Sequence, residues 1–259
     1  MAPLQGIRVL EVSLGLSAVG AGQAVSIPGS LLRDFGAEVL RVQSARASTL
    51  DEGVEFARVW NLGKEILDVD DGDPERAAET IIARARDCDV LFLAGREQLI
   101  EQAGLQYRTL AAVNPRLIVV RVRPSRNSLG ALPDLELLVQ ARAGVPTQIP
   151  AHRPGPAFGD LSAGSAGAGF SAAVGALAGL YSRESTGRGG WAETSQSATR
   201  RSASSHRPGR PSRRRASSGD RSRPGLRRKA AVRRARGDRS FQPAVRASLD
   251  TCAVPLGER

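Results

Sequence analysis

Histidine, cysteine and aromatic residues are scarce in this chain. Only two histidines and two cysteines occur in 259 residues, and phenylalanine, tyrosine and tryptophan together make up 4%. The two cysteines, Cys88 and Cys252, are too few for a disulfide framework or a cysteine-based metal cluster. We therefore expect no metal site, and the low cysteine content is typical of a protein from a reducing compartment such as the cytoplasm.

The sequence also lacks the features of a targeting or membrane-spanning segment. Its first residues, MAPLQGIRVLEVS, have no basic stretch followed by an apolar core, so no signal peptide is predicted. The uncharged stretch at 162–181, SAGSAGAGFSAAVGALAGLY, is long enough to span a bilayer. Because it consists largely of glycine, alanine and serine, its insertion into lipid would be weak. We expect a tightly packed buried helix there, and no membrane partner.

Positive charge is distributed very unevenly along the chain. The formal net charge is +11, but residues 196–259 carry +14 and residues 1–195 carry −3. The basic character therefore belongs entirely to the second region. Two regions are predicted on this basis, a folded one at 1–195 and a basic tail at 196–259.

Low sequence complexity distinguishes the region at 196–259. Arginine, serine, alanine, proline and glycine account for 46 of its 64 residues. Such a segment buries too little apolar surface to offset the entropy of ordering, so we expect disorder. Its arginines could bind nucleic acid phosphates without sequence preference. The interpretation that we favour is a frameshift, because a G+C-rich gene read out of frame encodes the same five residue types.

Strand and helix patterns alternate over the first 125 residues. The run DPE at 73–75 is typical of a helix start, with a capping aspartate, a proline at the first helical position and an acid in the first turn. The alternation predicts an α/β fold, a Rossmann-like and mainly parallel sheet with flanking helices. The predicted strands are 7–13, 37–43, 65–70, 88–95 and 117–123.

A glycine-rich stretch follows the first predicted strand, where sheets of this kind bind phosphate groups. It reads GLSAVGAGQAVSIPG at 15–29. Gly20 and Gly22 match the first two glycines of G-x-G-x-x-G, but Val25 occupies the third position. A dinucleotide-binding oxidoreductase domain is therefore the weaker alternative. We expect a flexible loop at 15–29, followed by a helix.

Five segments of the chain resemble successive blocks of the family III CoA-transferases, which include formyl-CoA and carnitine CoA-transferases and α-methylacyl-CoA racemases. The similarity extends over about residues 4–195 and stops where the basic tail starts. Family members continue with a second, smaller domain, so the resemblance implies that the fold is incomplete here. The segments are LQGIRVLEVS, LLRDFGAEVLRVQ, NLGKEILDVDDGDPERAAETIIARARDCDVL, GLQYRTLAAVNPRLIVVRV and GALAGLYSRESTGRGGWAETS.

The resemblance implies a reaction and a set of partners. Family members move coenzyme A from an acyl-CoA to a carboxylic acid. An aspartate attacks the thioester, and a mixed anhydride and then an aspartyl-CoA thioester follow. Coenzyme A and acyl-CoA would thus be substrates, with no permanently bound cofactor and no metal. The assembly that the resemblance implies is an interlocked homodimer.

The family's catalytic aspartate has two possible counterparts in this sequence. Asp160, in FGDLSAGSAGAG, matches the surroundings of the family nucleophile. Counting back about ten residues from Gly175, which aligns with a family glycine, leads instead to Ser165. Either an insertion separates Asp160 from the following helix, or the nucleophile has been lost. Asp160 is our candidate catalytic residue.

Other positions match or depart from the family's coenzyme A site. Lys64 matches a lysine that contacts coenzyme A, Asn61 matches its motif neighbour, and Glu136 and Gln140 match a D-x-x-x-Q pair. The residues LAG at 93–95 replace a family E-N-F/Y motif of the cleft. The racemase histidine is also absent, so racemization is not expected. These departures predict no measurable transfer of coenzyme A by this chain.

Overall fold

A computed structural model describes residues 2–14, 19–44, 55–70, 72–95, 97–123, 136–147, 155–157 and 162–196. The strands are β1 (Arg8–Leu14), β2 (Glu38–Ser44), β3 (Glu65–Val69), β4 (Val90–Gly95), β5 (Ile118–Arg123) and β6 (Gly190–Ser195). The helices are α1 (Val19–Asp34), α2 (Glu55–Asn61), α3 (Pro74–Ala85), α4 (Glu97–Gln102), α5 (Tyr107–Val113), α6 (Glu136–Ala143) and α7 (Ala163–Thr186). A 3-10 turn spans Val145–Thr147.

The strands form one sheet in the order β3-β2-β1-β4-β5-β6, and every neighbouring pair is parallel. In this register Glu11 of β1 lies between Arg41 of β2 and Phe92 of β4. The chain changes direction across the sheet between β1 and β4, and folds of this class bind ligands outside the carboxyl ends of the strands at that place. The prediction of an α/β fold with a mainly parallel sheet is confirmed.

Helices cover both faces of the sheet, and each face has its own apolar core. One core lies under α1 and α7 and the other under α3, α4 and α5. Strand β4 contributes to both, because Val90 and Phe92 face the first core while Leu91 and Leu93 face the second. Burial on both faces explains why β4 is a nearly continuous apolar run in the sequence.

The predicted start of α3 is confirmed in detail. The Asp73 carboxylate accepts a hydrogen bond of 3.0 Å from the Arg76 backbone N–H, and Pro74 is the first residue of the helix. Proline is tolerated there because a first-turn N–H has no partner within the helix. Ala77, Ala78, Ile81 and Ala85 form the buried face.

The predicted flexible loop at 15–29 is wrong from Val19 onward, where α1 begins. Gly20 and Gly22 therefore belong to a helix, and Pro28 lies within it. Glycine and proline both disfavour a helix interior. Here the burial of α1 against α7 and the sheet outweighs that local preference, because most of a helix's stability in a protein comes from its packing.

Helix α7 packs closely against its neighbours through small residues. A side chain at Gly169 would place its Cβ 2.8 Å from the Ile27 Cβ, and one at Gly179 would place it 2.7 Å from the Ile118 Cγ2. The opposite side of α7 is exposed, including Phe170 at 54%. Within the described residues α7 alone is long and apolar enough to cross a membrane. That is weak evidence for a span, since core helices of soluble proteins meet the same criteria.

Candidate functional site

A buried ion pair lies between α1 and β1. The Lys64 Nζ donates hydrogen bonds of 2.8 and 3.0 Å to the two carboxylate oxygens of Glu11, and the two side chains are 0% and 1% exposed. The same ammonium donates to the Ser26 carbonyl at 2.7 Å. All of its hydrogen-bonding capacity is therefore used inside the protein.

Further polar side chains extend this pair into a network. The Arg41 guanidinium donates to the Ser26 hydroxyl, to the Asn61 Oδ1 at 3.0 Å and to the Gln43 Oε1 at 2.7 Å. The network joins α1, α2, β1, β2 and the start of β3, so it holds these elements in one arrangement. We call it the Glu11–Lys64 cluster, and it comprises Glu11, Ser26, Arg41, Gln43, Asn61 and Lys64.

The backbone makes room for this cluster at a glycine in α1. A Cβ atom added to Gly29 would lie 1.7 Å from the Glu11 Oε1, so no other residue fits without moving the carboxylate. Lys64 enters from the turn between α2 and β3, where its backbone N–H donates to the Asn61 carbonyl at 3.1 Å. The turn thus brings Asn61 and Lys64 to the cluster together.

Burial and charge act in opposite directions on the ion pair. Burial raises the pKa of Glu11, and the positive charges of Lys64 and Arg41 offset part of that rise. Burial likewise lowers the pKa of Lys64, and the Glu11 carboxylate offsets part of the fall. Each charge is therefore tolerated in the interior because the other is present.

The residues predicted to bind coenzyme A differ in how the structure places them. Asn61 and Lys64 lie side by side, with their polar atoms directed into the Glu11–Lys64 cluster. Gln140 is buried in α6. The Glu136 side chain and the whole of Asp160 lie outside the described residues. The roles proposed for these residues remain predictions.

The position reached by counting back from Gly175 lies at the carboxyl edge of the sheet. Ser165 is in the first turn of α7, it is fully buried, and its hydroxyl accepts a hydrogen bond of 3.1 Å from the Gln196 amide. Gln196 directly follows β6, and its backbone N–H donates to the Arg123 carbonyl at the end of β5. The α7 N-terminus is thus attached to the ends of β5 and β6.

A cavity of about 500 Å³ lies on the other face of the sheet, next to β5, β6, α4 and α5. Arg121 and Arg123 of β5 contribute charge to its lining, and Tyr107 and Trp191 contribute aromatic rings. Burial lowers the pKa of Arg121, and the nearby Glu97 carboxylate opposes that effect. The cavity combines an apolar wall with charged groups, as binding sites for small molecules commonly do.

The sequence interpretation missed Glu11 and Arg121. Each is a single charged residue inside an otherwise apolar strand, RVLEVSL in β1 and IVVRVR in β5. A buried charge needs a partner, so an isolated charge in such a run is the signal that could have identified both residues. Within the described ranges, no three histidine, cysteine, aspartate or glutamate side chains are grouped so that they could hold a metal ion.

Comparison with known protein families gives one match along most of the chain. The model of a family described as CoA-transferase family III matches residues 4–231. This match continues beyond Ser195, where the sequence predicts the boundary between the two regions, and that boundary remains a prediction.

Several curated proteins are similar to the first part of the chain. The probable fatty acyl-CoA transferase Rv3272 of Mycobacterium tuberculosis is 30% identical over 197 residues, which is 71% of this chain and 48% of that protein. The succinyl-CoA–D-citramalate CoA-transferase of Chloroflexus aurantiacus is 31% identical over 207 residues, covering 72% and 47%. A crystal structure of Rv3272 superimposes with a TM-score of 0.63 at 27% identity, covering 76% of this chain and 56% of that one. The chain spans about half the length of the curated relatives it matches.

Proposed function

Because this chain belongs to CoA-transferase family III, we propose that it reacts with acyl-CoA as that family does, with Asp160 as the carboxylate that attacks the thioester in the first half of coenzyme A transfer. The curated relatives are named for different acyl groups and acceptors, including fatty acyl-CoA and succinyl-CoA with citramalate. The proposal therefore names only the substrate classes, an acyl-CoA and a carboxylate. We place the reaction in the cytoplasm, without a permanently bound cofactor.

The proposed reaction conserves the energy of the thioester through covalent intermediates. An Asp160 oxygen attacks the acyl carbon, the carbon–sulfur bond breaks, and the coenzyme A thiolate leaves a mixed anhydride behind. The thiolate then attacks the Asp160 carbonyl, which gives an aspartyl-CoA thioester and releases the original acid. The acceptor carboxylate goes through the same steps in reverse and leaves as the new acyl-CoA.

The observation that carries the proposal is the position of the α7 N-terminus. Asp160 precedes the first residue of α7 by three positions in the sequence, and α7 starts at the carboxyl edge of the sheet beside Gln196. A helix N-terminus carries a partial positive charge. That charge favours the negative charge that develops on oxygen when a carboxylate attacks a thioester.

The enclosure of Lys64 works against efficient transfer. To contact coenzyme A, the ammonium would have to leave Glu11, and an uncompensated buried charge costs about 3–5 kcal/mol. Leu93, Ala94 and Gly95 end β4 without the amide and carboxylate groups of the family motif. We therefore propose that the first covalent half of the reaction is retained and that the coenzyme A thiolate is held weakly.

The first half-reaction is the direct test. The full chain is incubated with succinyl-CoA in the presence of hydroxylamine, which intercepts the anhydride and converts the aspartyl carboxyl into a stable hydroxamate. Mass spectrometry of the peptide that contains Asp160 detects this change. We expect a hydroxamate at Asp160 that depends on succinyl-CoA. The Asp160→Asn variant should lose it, and the control Asp34→Asn, at an exposed carboxylate, should keep it. Modification that persists in Asp160→Asn, or none in the unmodified chain, would show that the nucleophile lies elsewhere or has been lost.

A further inference from the structure

The cavity beside β5 and β6 is bordered by two aromatic residues, Tyr107 and Trp191, that are half-buried. Their rings lie 5.8 Å apart at an interplanar angle of 56°. Leu93, Ile100 and Leu105 are buried and form the apolar base of the cavity. Its volume of about 500 Å³ falls within the range of about 300–1,000 Å³ that is usual for small-molecule sites.

Two arginines hold the Glu97 carboxylate at the edge of this cavity, and the Arg123 Nε also lies 3.3 Å from the Glu193 Oε2. The Arg121 Nη2 donates to the Glu97 Oε2 at 3.1 Å, and the Arg123 Nη2 donates to the Glu97 Oε1 at 3.2 Å. The Arg121 side chain is only 3% exposed, and it also donates to the Leu93 carbonyl at 3.1 Å. A guanidinium so deeply buried needs an anion next to it, and both oxygens of the Glu97 carboxylate serve that need.

The anion that the chain supplies is loosely anchored. The Glu97 side chain is 48% exposed and lies at the first position of α4, a helix of six residues. It contributes the carboxylate without filling the apolar part of the cavity. A ligand with its own carboxylate could form the same two ion pairs and in addition bury an apolar body against Trp191.

We propose that this cavity binds a small organic carboxylate with an aromatic or apolar body, whose carboxylate replaces that of Glu97 between Arg121 and Arg123. The body of the ligand lies against Trp191 and Tyr107. The paired guanidinium groups select a carboxylate over a neutral amide of the same shape, because the amide would leave Arg121 without a charged partner. This inference does not rest on the proposed function.

The fluorescence of Trp191 gives a direct measure of binding. The chain has two tryptophans, and the Trp60→Phe variant leaves Trp191 as the only one. Trp60 contributes a backbone carbonyl to the Ser30 hydroxyl, a contact that phenylalanine retains. We expect a saturable change with phenylacetate and binding at least about tenfold weaker with phenylacetamide, a difference of about 1.4 kcal/mol. Equal binding of the two probes, or no saturable change, would overturn the proposal.

Replacement of Glu97 tests whether the ligand carboxylate takes the place of the Glu97 carboxylate. The proposal requires that the affinity for phenylacetate increase when Glu97 loses its charge. In the Trp60→Phe background, Glu97→Gln removes the competing charge and should tighten phenylacetate binding about threefold to tenfold, whereas Arg123→Gln should weaken it by a similar factor. Glu101→Gln is the matched control, because Glu101 lies in the same helix and lines the same cavity outside the arginine pair. Weaker binding in Glu97→Gln would show that Glu97 holds the ligand itself and would refute the exchange.

Circular dichroism of each variant establishes that it has folded. If Glu97→Gln fails to fold, the proposal is tested by the ratio of the Kd values for phenylacetamide and phenylacetate. This ratio is compared between Trp60→Phe and the same protein carrying Arg123→Gln. We expect Arg123→Gln to reduce that ratio. A ratio as large as that of Trp60→Phe alone would overturn the proposal.

Discussion

Glu11 of β1 and Lys64, which precedes β3, form a buried ion pair. Glu11 and Lys64 are separated by 53 positions in the sequence, yet the Lys64 ammonium lies 2.8 Å from a Glu11 oxygen with both side chains enclosed. A pair of this kind adds little net stability, because desolvation offsets most of the attraction. Removing one partner is much more damaging, since the other charge then remains in the interior without its hydrogen-bonded ion-pair partner.

Replacement of Lys64 tests this asymmetry. We expect Lys64→Met to lower the free energy of unfolding by about 3–5 kcal/mol, because it leaves Glu11 buried without its cation. Urea unfolding followed by circular dichroism measures the loss. Arg76→Met, at an exposed position of α3, is the control and should change stability by less than about 0.5 kcal/mol. A comparable loss in both variants would contradict the importance of the pair.

The Cys88 thiol provides a prediction about pH. Burial is the main cause that raises the pKa of Cys88 from 9.0 to about 11. Its folded pKa exceeds its unfolded pKa, so the stability it contributes is complete below about pH 9 and is lost as the pH rises towards about 11. In the Cys252→Ser variant, alkylation of Cys88 by iodoacetamide should accelerate with increasing pH and reach half of its maximal rate near pH 11.

The same variant unfolded in urea is the control for that experiment. Without its folded surroundings, the Cys88 thiol should reach half of its maximal rate near its ordinary pKa of 9.0. Identical pH profiles for the folded and the unfolded protein would show that Cys88 is not shielded by its surroundings.

At the level of elements, α7 illustrates how small residues permit close packing. Gly169 lies against α1 and Gly179 against β5, so the helix approaches both elements nearly to the van der Waals limit. Arg183 then attaches the C-terminal end of α7 to the sheet. It pairs with Asp89 at 3.0 Å and donates to the Arg116 carbonyl at 3.1 Å. Arg183 belongs to the last of the five segments that resemble the family, GALAGLYSRESTGRGGWAETS, so this segment also has a structural role.

Enlarging a contact glycine tests the packing of α7. In Gly169→Ala the new Cβ would lie 2.8 Å from the Ile27 Cβ, and we expect a loss of about 1–3 kcal/mol despite the better helix propensity of alanine. Gly190→Ala is the control, because no atom lies within 4 Å of its added Cβ. Thermal unfolding compares the two variants. A stabilised Gly169→Ala protein would mean that α7 and α1 are less tightly packed than the structure shows.

The outer side of α7 carries an apolar stripe with helical spacing. Phe170, Val174, Leu177 and Tyr181 are between 39% and 83% exposed. Large contiguous apolar patches are uncommon on soluble monomers. Among the described residues, one face of α7 is packed into the core and the opposite face is exposed.

For the whole molecule, the full transfer reaction is expected to fail even if Asp160 is acylated. A mixed anhydride needs the coenzyme A thiolate to be held nearby, and an anhydride that is not intercepted is lost to water. We expect no acceptor-CoA above the buffer control when the full chain is supplied with succinyl-CoA and a carboxylate. Chromatographic separation of the CoA esters measures this. Acceptor-CoA formation that Asp160→Asn abolishes would contradict the expectation.

The charge of the region at 196–259 predicts a second behaviour of the intact chain. With a net charge of +14 on 64 residues, it should bind polyanions with a Kd of roughly 10⁻⁴–10⁻⁶ M at physiological salt. Binding should weaken steeply as salt increases. Duplex DNA, single-stranded DNA and heparin should compete about equally, because the region contains one aromatic residue, Phe241, for stacking on bases.

Deletion of residues 197–259 is the control for that experiment. It removes the basic residues and keeps Gln196, whose side-chain amide donates a hydrogen bond to the Ser165 hydroxyl. Fluorescence anisotropy with labelled DNA should then show no binding. A preference for one DNA sequence above about tenfold at physiological salt would contradict non-specific binding and favour a dedicated nucleic acid function.

Several elements could be predicted because their signals are local. The capped start of α3 and the apolar runs of β4 and β5 depend on neighbouring residues, and the structure confirms them. Helix α1 was predicted to begin later, because glycine and Pro28 argue locally against a helix. Strand β6, GWAETS, was not predicted. It is a short run at the sheet edge that becomes a strand by pairing with β5.

The sequence by itself determined the α/β class, the family and the contrast between an acidic first region and a basic second one. These follow from periodicity, motifs and composition, which need no knowledge of the strand order. Only the tertiary structure decided that Lys64 meets Glu11 and that Glu97 lies between two arginines beside an aromatic wall. Those contacts join residues far apart in the chain, and the strand order β3-β2-β1-β4-β5-β6 brings them together. A buried charge selects its partner by proximity within the fold, and that proximity cannot be inferred from local pattern alone.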